Sequence, residues 1–221
     1  LMKKQLINWT NIDIVLLDLD GTLLDLSFDN YFWNYYLPKE YSNVFSISED
    51  MANSFIRDSL AEKAGTLCWY DIDYWSDRFN IDLIKMKERI SARVSAKPNA
   101  KEFLNTISKS GKKLILVTNA HRKTLDIKMR QINLSKWFDA VVISHELKAA
   151  KESDVFWKKF QSLYHFNIKR TVLIDDNEDV LAAAKNHGIA NLITILRPDS
   201  QQPKRKNCKF TAINNFSEIM P

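Results

Sequence analysis

The sequence predicts an α/β fold, a doubly wound parallel sheet with a helical segment inserted after the first strand. Short apolar runs recur along the chain, stretches with helical spacing lie between them, and one long section has no β-rich run. Near-continuous apolar strands are typical of a parallel sheet that is buried on both faces. Strands that alternate with helices are typical of doubly wound sheets.

Five apolar runs are the predicted strands. Each is near-continuous and rich in β-branched residues rather than alternating with polar ones. They span residues 14–17, 114–117, 141–143, 172–174 and 192–196. Because such strands carry apolar side chains on both sides, helices are expected on both faces of the sheet.

Helices are predicted between the later strands. The stretches with helical spacing are 99–110, 123–132, 153–166 and 178–187. Asn99 is expected to cap the first of these helices at its start. Gly111 and Gly188 are expected to end two of them, because glycine adopts the left-handed conformation of a helix end without strain.

Residues 25–97 are predicted to form a helical cap domain, and residues 1–24 and 98–221 the domain that carries the sheet. The inserted section has helix-like stretches at 49–60 and 81–94, and Pro98 marks the return to the sheet. It also holds 14 of the chain's 25 aromatic residues. Most of these rings are expected to form the insert's own small core, since a short helical bundle has little else to bury.

Composition excludes several classes of protein. The 32 Lys and Arg residues exceed the 27 Asp and Glu residues by a scattered +5, so no nucleic-acid partner is expected. The four glycines are too widely spaced for a Walker loop or a GxGxxG turn. Two cysteines and four histidines predict no zinc cluster and no disulfide framework, which favours a cytoplasmic setting.

Membrane association is not expected either. No stretch approaches the roughly 20 apolar residues of a membrane span. Residues 1–13 contain no apolar region typical of a signal peptide. Residues 204–209 form the one basic run, which is expected to be a solvated loop. Cys68 and Cys208 are expected to have structural roles only.

Polar side chains follow four of the predicted strands. They are Asp18, Thr118, Ser144 and Asp175. Because ligands bind beyond the carboxyl ends of the strands in open α/β sheets, these side chains are expected to meet. Asp18 and Asp20, and likewise Asp175 and Asp176, would repel one another at a cost of several kcal/mol without a cation. Oxygen ligands suit Mg²⁺, although each acid taken alone could instead cap a helix or lie in a solvated loop.

Four motifs in this order resemble those of the haloacid dehalogenase superfamily, most of whose members are Mg²⁺-dependent phosphatases. The first is Asp-Leu-Asp-Gly-Thr-Leu-Leu-Asp at residues 18–25. The others are Val-Thr-Asn at 117–119, Lys151, and Ile-Asp-Asp at 174–176. All four fall at predicted strand ends or before a predicted helix, so the resemblance extends across the whole sheet domain.

The resemblance implies a role for each of these residues. Asp18 would be the nucleophile, and Asp20 would transfer protons to the leaving group and from water. Thr118 would donate to a phosphate oxygen, and Lys151 would supply balancing positive charge. Asp18, Asp175 and the backbone carbonyl of Asp20 would hold Mg²⁺.

Two further residues would support the phosphate site. Asn119 follows Thr118 in the second motif, and Asp176 would hold Lys151 or the water shell of Mg²⁺ in place. Lys148 lies near Lys151 in the sequence but is expected to be a solvated surface residue, because Lys151 directly precedes the predicted helix.

Asp20 favours a phosphatase over a dehalogenase. A halide leaves without a proton, whereas the alkoxide leaving group of a phosphate ester needs an acid at this position. A more specific resemblance lies in the insert, where residues 25–33, 69–70 and 73–76 are similar to those of nucleotidases in this superfamily that act on GMP and IMP. This similarity implies hydrolysis of purine nucleoside 5′-monophosphates to nucleoside and phosphate.

The substrate is expected to be a small phosphate ester that contacts the insert. Phe28, Asn30, Tyr31 and Trp69 are expected to face the cleft, where aromatic rings could stack on a purine. Asp29 and Asp73 could accept hydrogen bonds from a purine or cap a helix, and His121 could lie at the rim of the cleft or be exposed at a helix start. A sugar phosphate or phosphoglycolate phosphatase and a non-catalytic binding protein remain alternatives.

Overall fold

A six-stranded parallel sheet forms the centre of the computed structural model, which describes residues 6–221. The strands are β1 Ile14–Leu17, β2 Lys113–Thr118, β3 Ala140–Ile143, β4 Thr171–Ile174, β5 Asn191–Ile195 and β6 Thr211–Ile213. Their order is β3-β2-β1-β4-β5-β6, and every neighbouring pair is parallel. The predicted α/β fold is therefore confirmed.

The five predicted strands match β1 to β5 within one residue at each end, while β6 was not predicted. β6 has three residues, Thr-Ala-Ile, and pairs only with β5 at the edge of the sheet. Only Ile213 of β6 is buried, so this strand has no continuous apolar run of the kind by which buried strands are recognised.

Nine α-helices lie within residues 6–221. They are α1 Ser27–Tyr31, α2 Leu37–Phe45, α3 Glu49–Lys63, α4 Ile72–Phe79, α5 Leu83–Arg89, α6 Ala100–Lys109, α7 Arg122–Ile132, α8 Asp154–Tyr164 and α9 Glu178–His187. A π-helical turn at Phe32–Tyr36 joins α1 to α2. Short 3₁₀ turns lie at Trp9–Asn11, Leu67–Tyr70, Ser91–Arg93, Ser135–Trp137, Ile168–Arg170 and Phe216–Ile219.

The helices cover both faces of the sheet, as predicted. On one face, Val15 and Leu17 of β1 belong to a buried cluster that includes Phe103 of α6 and Leu125 of α7. On the other face, Leu16 belongs to a cluster with side chains of α8 and α9. Residues of β1 alternate between the two clusters because successive strand side chains point to opposite faces.

Helix ends follow the predicted signals in most places. Gly188 has φ 105° and its N–H donates to the carbonyl of Ala184 at 3.1 Å, so it ends α9 as expected. Asn99 precedes α6, but its side chain donates to Glu102 Oε2 at 3.2 Å and does not cap the helix. The predicted helix at 81–94 is shorter, because the Asp82 side chain accepts the N–H of Lys85 and starts α5 only at Leu83.

Helices α1 to α5 lie between β1 and β2 in the chain, and α2 to α5 share a buried cluster with the π-helical turn. It consists of Phe32, Leu37, Ile56, Ile72, Trp75, Phe79, Leu83 and Met86. The two connections of this segment to the sheet lie side by side, since the N–H of Asp25 donates to Ser95 O at 2.9 Å and the N–H of Lys97 donates to Leu23 O at 2.8 Å. The segment therefore leaves and rejoins the sheet at one place.

The sequence predicted neither a membrane-spanning helix nor an N-terminal signal peptide. No helix among the described residues combines the length and the apolar character required to cross a bilayer. Residues 1–5 lie outside the described residues. The expected absence of a signal peptide in residues 1–13 and the expected sheet domain at residues 1–24 both include these five residues.

Candidate active site

The side chains that follow the strands meet in one cavity of about 280 Å³. Leu17 of β1 pairs with Leu116 of β2 and Ile174 of β4, so the chain segments after these strands lie next to one another. Most of the sequence-predicted site residues line the cavity, namely Asp18, Asp20, Asn30, Trp69, Thr118, Asn119, Lys151, Asp175 and Asp176. Ser144, which follows β3, is fully buried and does not line it.

Lys151 lies at the centre of this site. Its ammonium group is 2.5 Å from Asp18 Oδ1 and 2.7 Å from Asp175 Oδ2, and it donates to the carbonyl of Val117 at 3.0 Å. Burial disfavours the charged lysine, but the carboxylates of Asp175 and Asp18 outweigh burial and raise the pKa of Lys151. The two carboxylates therefore favour the charged form of this buried lysine. Lys148, in contrast, is exposed.

Three carboxylates crowd the same end of the cavity. One oxygen each of Asp18, Asp175 and Asp176 lies within 4.8 Å of the others. Burial, with added repulsion from Asp175, raises the pKa of Asp18 to about 6 despite the nearby Lys151. Burial and the neighbouring carboxylates also raise the pKa of Asp176. The donors are all oxygens and carry excess negative charge, so this set fits a hard divalent cation.

Gly21 and Thr22 hold Asp176 against the first motif. Gly21 has φ +86°, and a Cβ at this position would lie 2.6 Å from Asp176 Cγ. The Thr22 hydroxyl, which is fully buried, accepts the N–H of Asp176 at 3.0 Å. The glycine therefore provides the space that the Asp176 carboxyl occupies.

Asp176 has a different partner from the one expected. Its Oδ2 lies 3.5 Å from Nη2 of Arg205, whose guanidinium also donates to the Asp176 backbone carbonyl. We expected Asp176 to hold either Lys151 or the water shell of Mg²⁺. Lys151 is engaged by Asp18 and Asp175, and the role of Asp176 toward the metal stays a prediction. The basic run 204–209 is thus not wholly a solvated loop, because Arg205 reaches the edge of the site.

Asp20 contacts a buried lysine that the sequence analysis did not identify. Lys128 Nζ lies 2.7 Å from Asp20 Oδ1 and 2.6 Å from Asp29 Oδ2, and Lys87 Nζ lies 2.8 Å from Asp29 Oδ1. Burial raises the pKa of Asp20 to about 6 although Lys128 opposes it. For Asp29, the two lysines outweigh burial and lower the pKa. A signal existed in the sequence, since Lys128 lies three residues after Leu125 on the buried face of α7.

A second network surrounds Glu152, which the sequence analysis also missed. Asn119 accepts the backbone N–H of Lys151 at 3.0 Å and donates to Glu152 Oε2 at 2.9 Å. The hydroxyl of Tyr70 donates to Glu152 Oε1 at 2.5 Å, and Asn177 donates to the same oxygen at 3.1 Å. This network joins the second motif to the 3₁₀ turn at Leu67–Tyr70. Thr118 accepts the N–H of Ala120 at 3.0 Å through its hydroxyl oxygen.

Two of the four residues expected to face the cleft do not line the cavity. Phe28 is 2% exposed and belongs to the buried cluster on one face of the sheet, with Lys87 at 5.1 Å from its ring. Tyr31 packs instead against the Arg93 guanidinium, at 3.8 Å from the ring centre. These residues lie on other sides of the helix from Asn30, which lines the cavity and donates to Asp199 Oδ2 at 2.7 Å.

The aromatic wall of the cavity consists of other residues. Trp69 lines the cavity as predicted, together with Trp33 and Tyr70, which were not predicted. Asp73 forms an ion pair with Lys123 at 2.7 Å and is not the capping residue of α4, a position taken by Asp71. His121 lies at the cavity near these acids.

Comparison with known proteins places this geometry in a family. The sequence pattern of the haloacid dehalogenase-like hydrolases matches residues 15–194. The GMP/IMP nucleotidase YrfG of Escherichia coli strain K12 is 32% identical over 215 residues, which is 97% of both chains. A phosphorylated carbohydrates phosphatase of Thermotoga maritima is 20% identical over 195 residues, covering 84% of this chain and 86% of that protein.

A solved structure shares the fold. The crystal structure of a HAD phosphatase from Thermococcus onnurineus superposes with a TM-score of 0.78 at 20% identity, covering 94% of this chain and 96% of that one. The family pattern covers β1 through Thr194 in β5, and the four expected motifs lie within it in the expected order. The chain therefore belongs to the haloacid dehalogenase-like hydrolase family.

Proposed function

We propose that the protein is a Mg²⁺-dependent phosphomonoesterase that hydrolyses purine nucleoside 5′-monophosphates, with GMP and IMP as the preferred substrates. The observation that carries this proposal is the bridge of Lys151 between Asp18 and Asp175, in a cavity that Asp20 also lines. The purine preference is supported by the similarity to the E. coli GMP/IMP nucleotidase over nearly the full length of both chains.

The reaction would proceed in two displacements at phosphorus. An oxygen of Asp18 attacks the phosphorus atom and forms an aspartyl-phosphate, while the bond to the nucleoside oxygen breaks and that oxygen takes a proton from Asp20. Water then attacks the same phosphorus, Asp20 accepts a proton from it, and the bond to Asp18 breaks. The products are nucleoside and inorganic phosphate, and both carboxyls return to their starting state.

Other residues of the site would hold the phosphoryl group. The Thr118 hydroxyl would donate to a phosphate oxygen, and Lys151 would offset the negative charge of Asp18 and the substrate. Asn119 would position Lys151 through the hydrogen bond that it accepts from the lysine backbone. The Thr118 proton is available for donation because its hydroxyl oxygen only accepts in the contact with Ala120.

The acidic side chains would hold the metal. Asp18 and Asp175 would contribute carboxylate oxygens and Asp20 its backbone carbonyl, and Asp176 would lie beside them. When bound, Mg²⁺ supplies positive charge that offsets the charge of the phosphate oxygens. This assignment is supported by the crowding of three buried carboxylates, which a divalent cation would relieve.

Residues 25–97 would form a cap over a catalytic core made of residues 1–24 and 98–221. The cap would exclude water from the aspartyl-phosphate step and recognise the leaving group. Trp33, Trp69 and Tyr70 supply aromatic lining, and base stacking on such a ring contributes roughly 1–3 kcal/mol. The proposal also keeps the cytoplasmic setting, and in the described part of the chain Cys68 and Cys208 are both free thiols.

A phosphatase for sugar phosphates is the second candidate. It is favoured by the similarity to the Thermotoga maritima phosphorylated carbohydrates phosphatase. A non-catalytic binding protein has less support, because the nucleophile, the acid, the lysine and the metal-binding acids are all in one cavity.

Release of inorganic phosphate across a panel of esters tests the proposal. The panel contains GMP, IMP, AMP, a pyrimidine nucleotide, a hexose phosphate and phosphoglycolate, each with Mg²⁺ and with EDTA. We expect kcat/KM for GMP and IMP to exceed that for the sugar phosphate by at least about tenfold, and EDTA to abolish turnover. Equal turnover of the sugar phosphate would remove the purine preference, and no phosphate from any ester would remove the phosphatase itself.

A further inference from the structure

Two buried lysines and two half-buried aspartates form a continuous chain of contacts from the insert to the candidate acid. Lys87 of α5 contacts Asp29 of α1 at 2.8 Å, Asp29 contacts Lys128 of α7 at 2.6 Å, and Lys128 contacts Asp20 at 2.7 Å. The side chain of Lys128 is 1% exposed and that of Lys87 is 2% exposed. All four residues line the cavity. The chain of contacts therefore ends on a carboxyl that substrate can reach.

Packing alone does not explain these lysines. Burying an ammonium group costs several kcal/mol even when it is paired, and an apolar side chain of similar volume would fill the same space at no such cost. Lys128 follows Leu125 and Ile127 on the buried side of α7, where apolar residues are the rule. A buried cation retained at such a position is better explained by the orientation that it gives to its partner.

The contact with Asp20 is directional. Lys128 approaches Oδ1, and a carboxyl held by one oxygen keeps the other for a proton transfer to a leaving group. The lysine is itself held, because Asp29 contacts its ammonium group and the ring of Phe28 lies 5.5 Å from it.

The far end of the chain of charges belongs to the insert. Lys87 is surrounded by the rings of Phe32 at 4.3 Å and Trp33 at 5.5 Å, and its carboxylate partner Asp29 lies on α1. The contact of α5 with α7 is extended at the surface by an ion pair of Glu88 with Arg130 at 2.9 Å. The position of Lys128 therefore depends on the insert being packed on α7.

We propose that Lys128 is a positioning residue for Asp20, and that Asp29 and Lys87 hold it in place, so that packing of the insert on α7 and placement of the acid occur together. This inference rests on the proposed phosphatase activity. It goes further in naming the residues that orient the acid and the segment that supplies them.

The experiment compares two esters that differ in their need for an acid. The leaving alkoxide of GMP must be protonated, whereas p-nitrophenolate leaves readily without a proton. The quantity measured is kcat/KM, because it reports the displacement from substrate and not the later hydrolysis of the aspartyl-phosphate. We expect Lys128→Met to lower kcat/KM for GMP by about 100-fold or more and for p-nitrophenyl phosphate by less than about tenfold.

Further variants separate positioning from stability. In a protein that already carries Asp20→Asn, Lys128→Met should cause no further loss of kcat/KM for GMP. If Lys128 acts only through Asp20, it has no effect once the Asp20 carboxyl is removed. Lys128→Arg should restore part of the GMP activity. Arg130→Gln, which removes the exposed ion pair of the same two helices, should leave the ratio of the two kcat/KM values unchanged. If Lys128→Met does not fold, Asp29→Asn, which conserves volume, should show the same selective loss.

The outcomes distinguish this inference from the proposed function. If the unmodified protein releases phosphate from neither ester, the phosphatase proposal fails. If it hydrolyses both, and Lys128→Met and Asp29→Asn lower the two kcat/KM values by the same factor, or the losses add to that of Asp20→Asn, the positioning role is wrong while the phosphatase proposal stands.

Discussion

Gly21 and Asp176 are packed so closely that no side chain fits at position 21. A Cβ on Gly21 would lie 2.6 Å from both Cγ and Oδ2 of Asp176. The two residues follow neighbouring strands, β1 and β4, and the backbone N–H of Asp176 is also held by the Thr22 hydroxyl. The turn after β1 is thus shaped by the carboxyl that follows β4, and the geometry of the site depends on this contact.

Gly21→Ala should therefore damage both stability and activity. The φ of +86° alone disfavours alanine, and the new methyl group must also displace Asp176. Gly65→Ala is the matched control, because Gly65 has φ +76° but no atom within 4 Å of the added Cβ. We expect urea unfolding to show a loss about 1–3 kcal/mol larger for position 21 than for position 65. Equal losses would show that the close contact has no energetic consequence.

Asp18→Asn should abolish phosphate release and leave the fold intact. The amide cannot form an aspartyl-phosphate, so kcat should fall by at least about 1,000-fold. The thermal midpoint should be unchanged or higher, since burial, which raises the pKa of Asp18, disfavours its carboxylate in the folded protein. Asp126→Asn, which changes an exposed carboxylate on α7, is the control. Activity that survives Asp18→Asn would show that Asp18 is not the nucleophile.

The strands and the acids that follow them could be predicted because one physical requirement produces both signals. A strand buried on two faces, such as β1, must be apolar throughout, so the first polar residue marks its end. In a parallel sheet the carboxyl ends of neighbouring strands lie together. Asp18 and Asp175 could therefore be predicted to lie close to each other although they are far apart in the sequence. β6 lacks the signal because it has only three residues, Thr-Ala-Ile, of which one is buried.

The buried lysines and the lining aromatics could not be predicted in the same way. Because lysine is typical of exposed helix positions, Lys128 on α7 was not predicted to be a site residue. Its spacing from Leu125 nevertheless puts it on the buried face. Which of the aromatic rings face the cavity is determined by the orientation of the helices that carry them. Asn30 of α1 and Trp33 of the following π-helical turn line the cavity, whereas Phe28 of α1 packs in the buried cluster on one face of the sheet.

The metal-free protein should lose stability as pH rises from about 4 to about 6. The pKa of Asp18 and of Asp20 is raised from 3.8 to about 6 in the folded state, so the folded protein binds more protons than the unfolded chain in this window. Their contribution is fully present below pH 3.8 and is lost as pH passes through about 6. In EDTA, the urea midpoint should fall across this range, and Asp18→Asn should reduce the fall. A midpoint that rises instead would contradict the raised pKa values.

Trp69 should contribute to binding of the purine and not to the chemical step. It lines the cavity and is 37% exposed, so its ring has a free face for stacking. Trp69→Ala should raise KM for GMP by about 5- to 150-fold, which corresponds to roughly 1–3 kcal/mol, with a small change in kcat. KM for a small phosphate ester without a base should change little. Tyr35→Ala, at an exposed ring of the insert outside the cavity, is the control.

Tyr70 should connect the insert to the site through Glu152. Its hydroxyl donates to Glu152 Oε1 at 2.5 Å, and the other carboxylate oxygen accepts from Asn119 of the second motif. Tyr70→Phe removes this hydrogen bond and keeps the ring in the cavity wall. Because a hydrogen bond to a charged group contributes about 1.5–3 kcal/mol, closure of the insert should be weakened and KM should rise by about tenfold or more. The rise should be similar for GMP and for p-nitrophenyl phosphate, since the lost contact holds the insert and not the base. A rise confined to GMP would instead mean that the hydroxyl contacts the purine, and Glu152→Gln, which keeps an acceptor for Tyr70, would then have little effect.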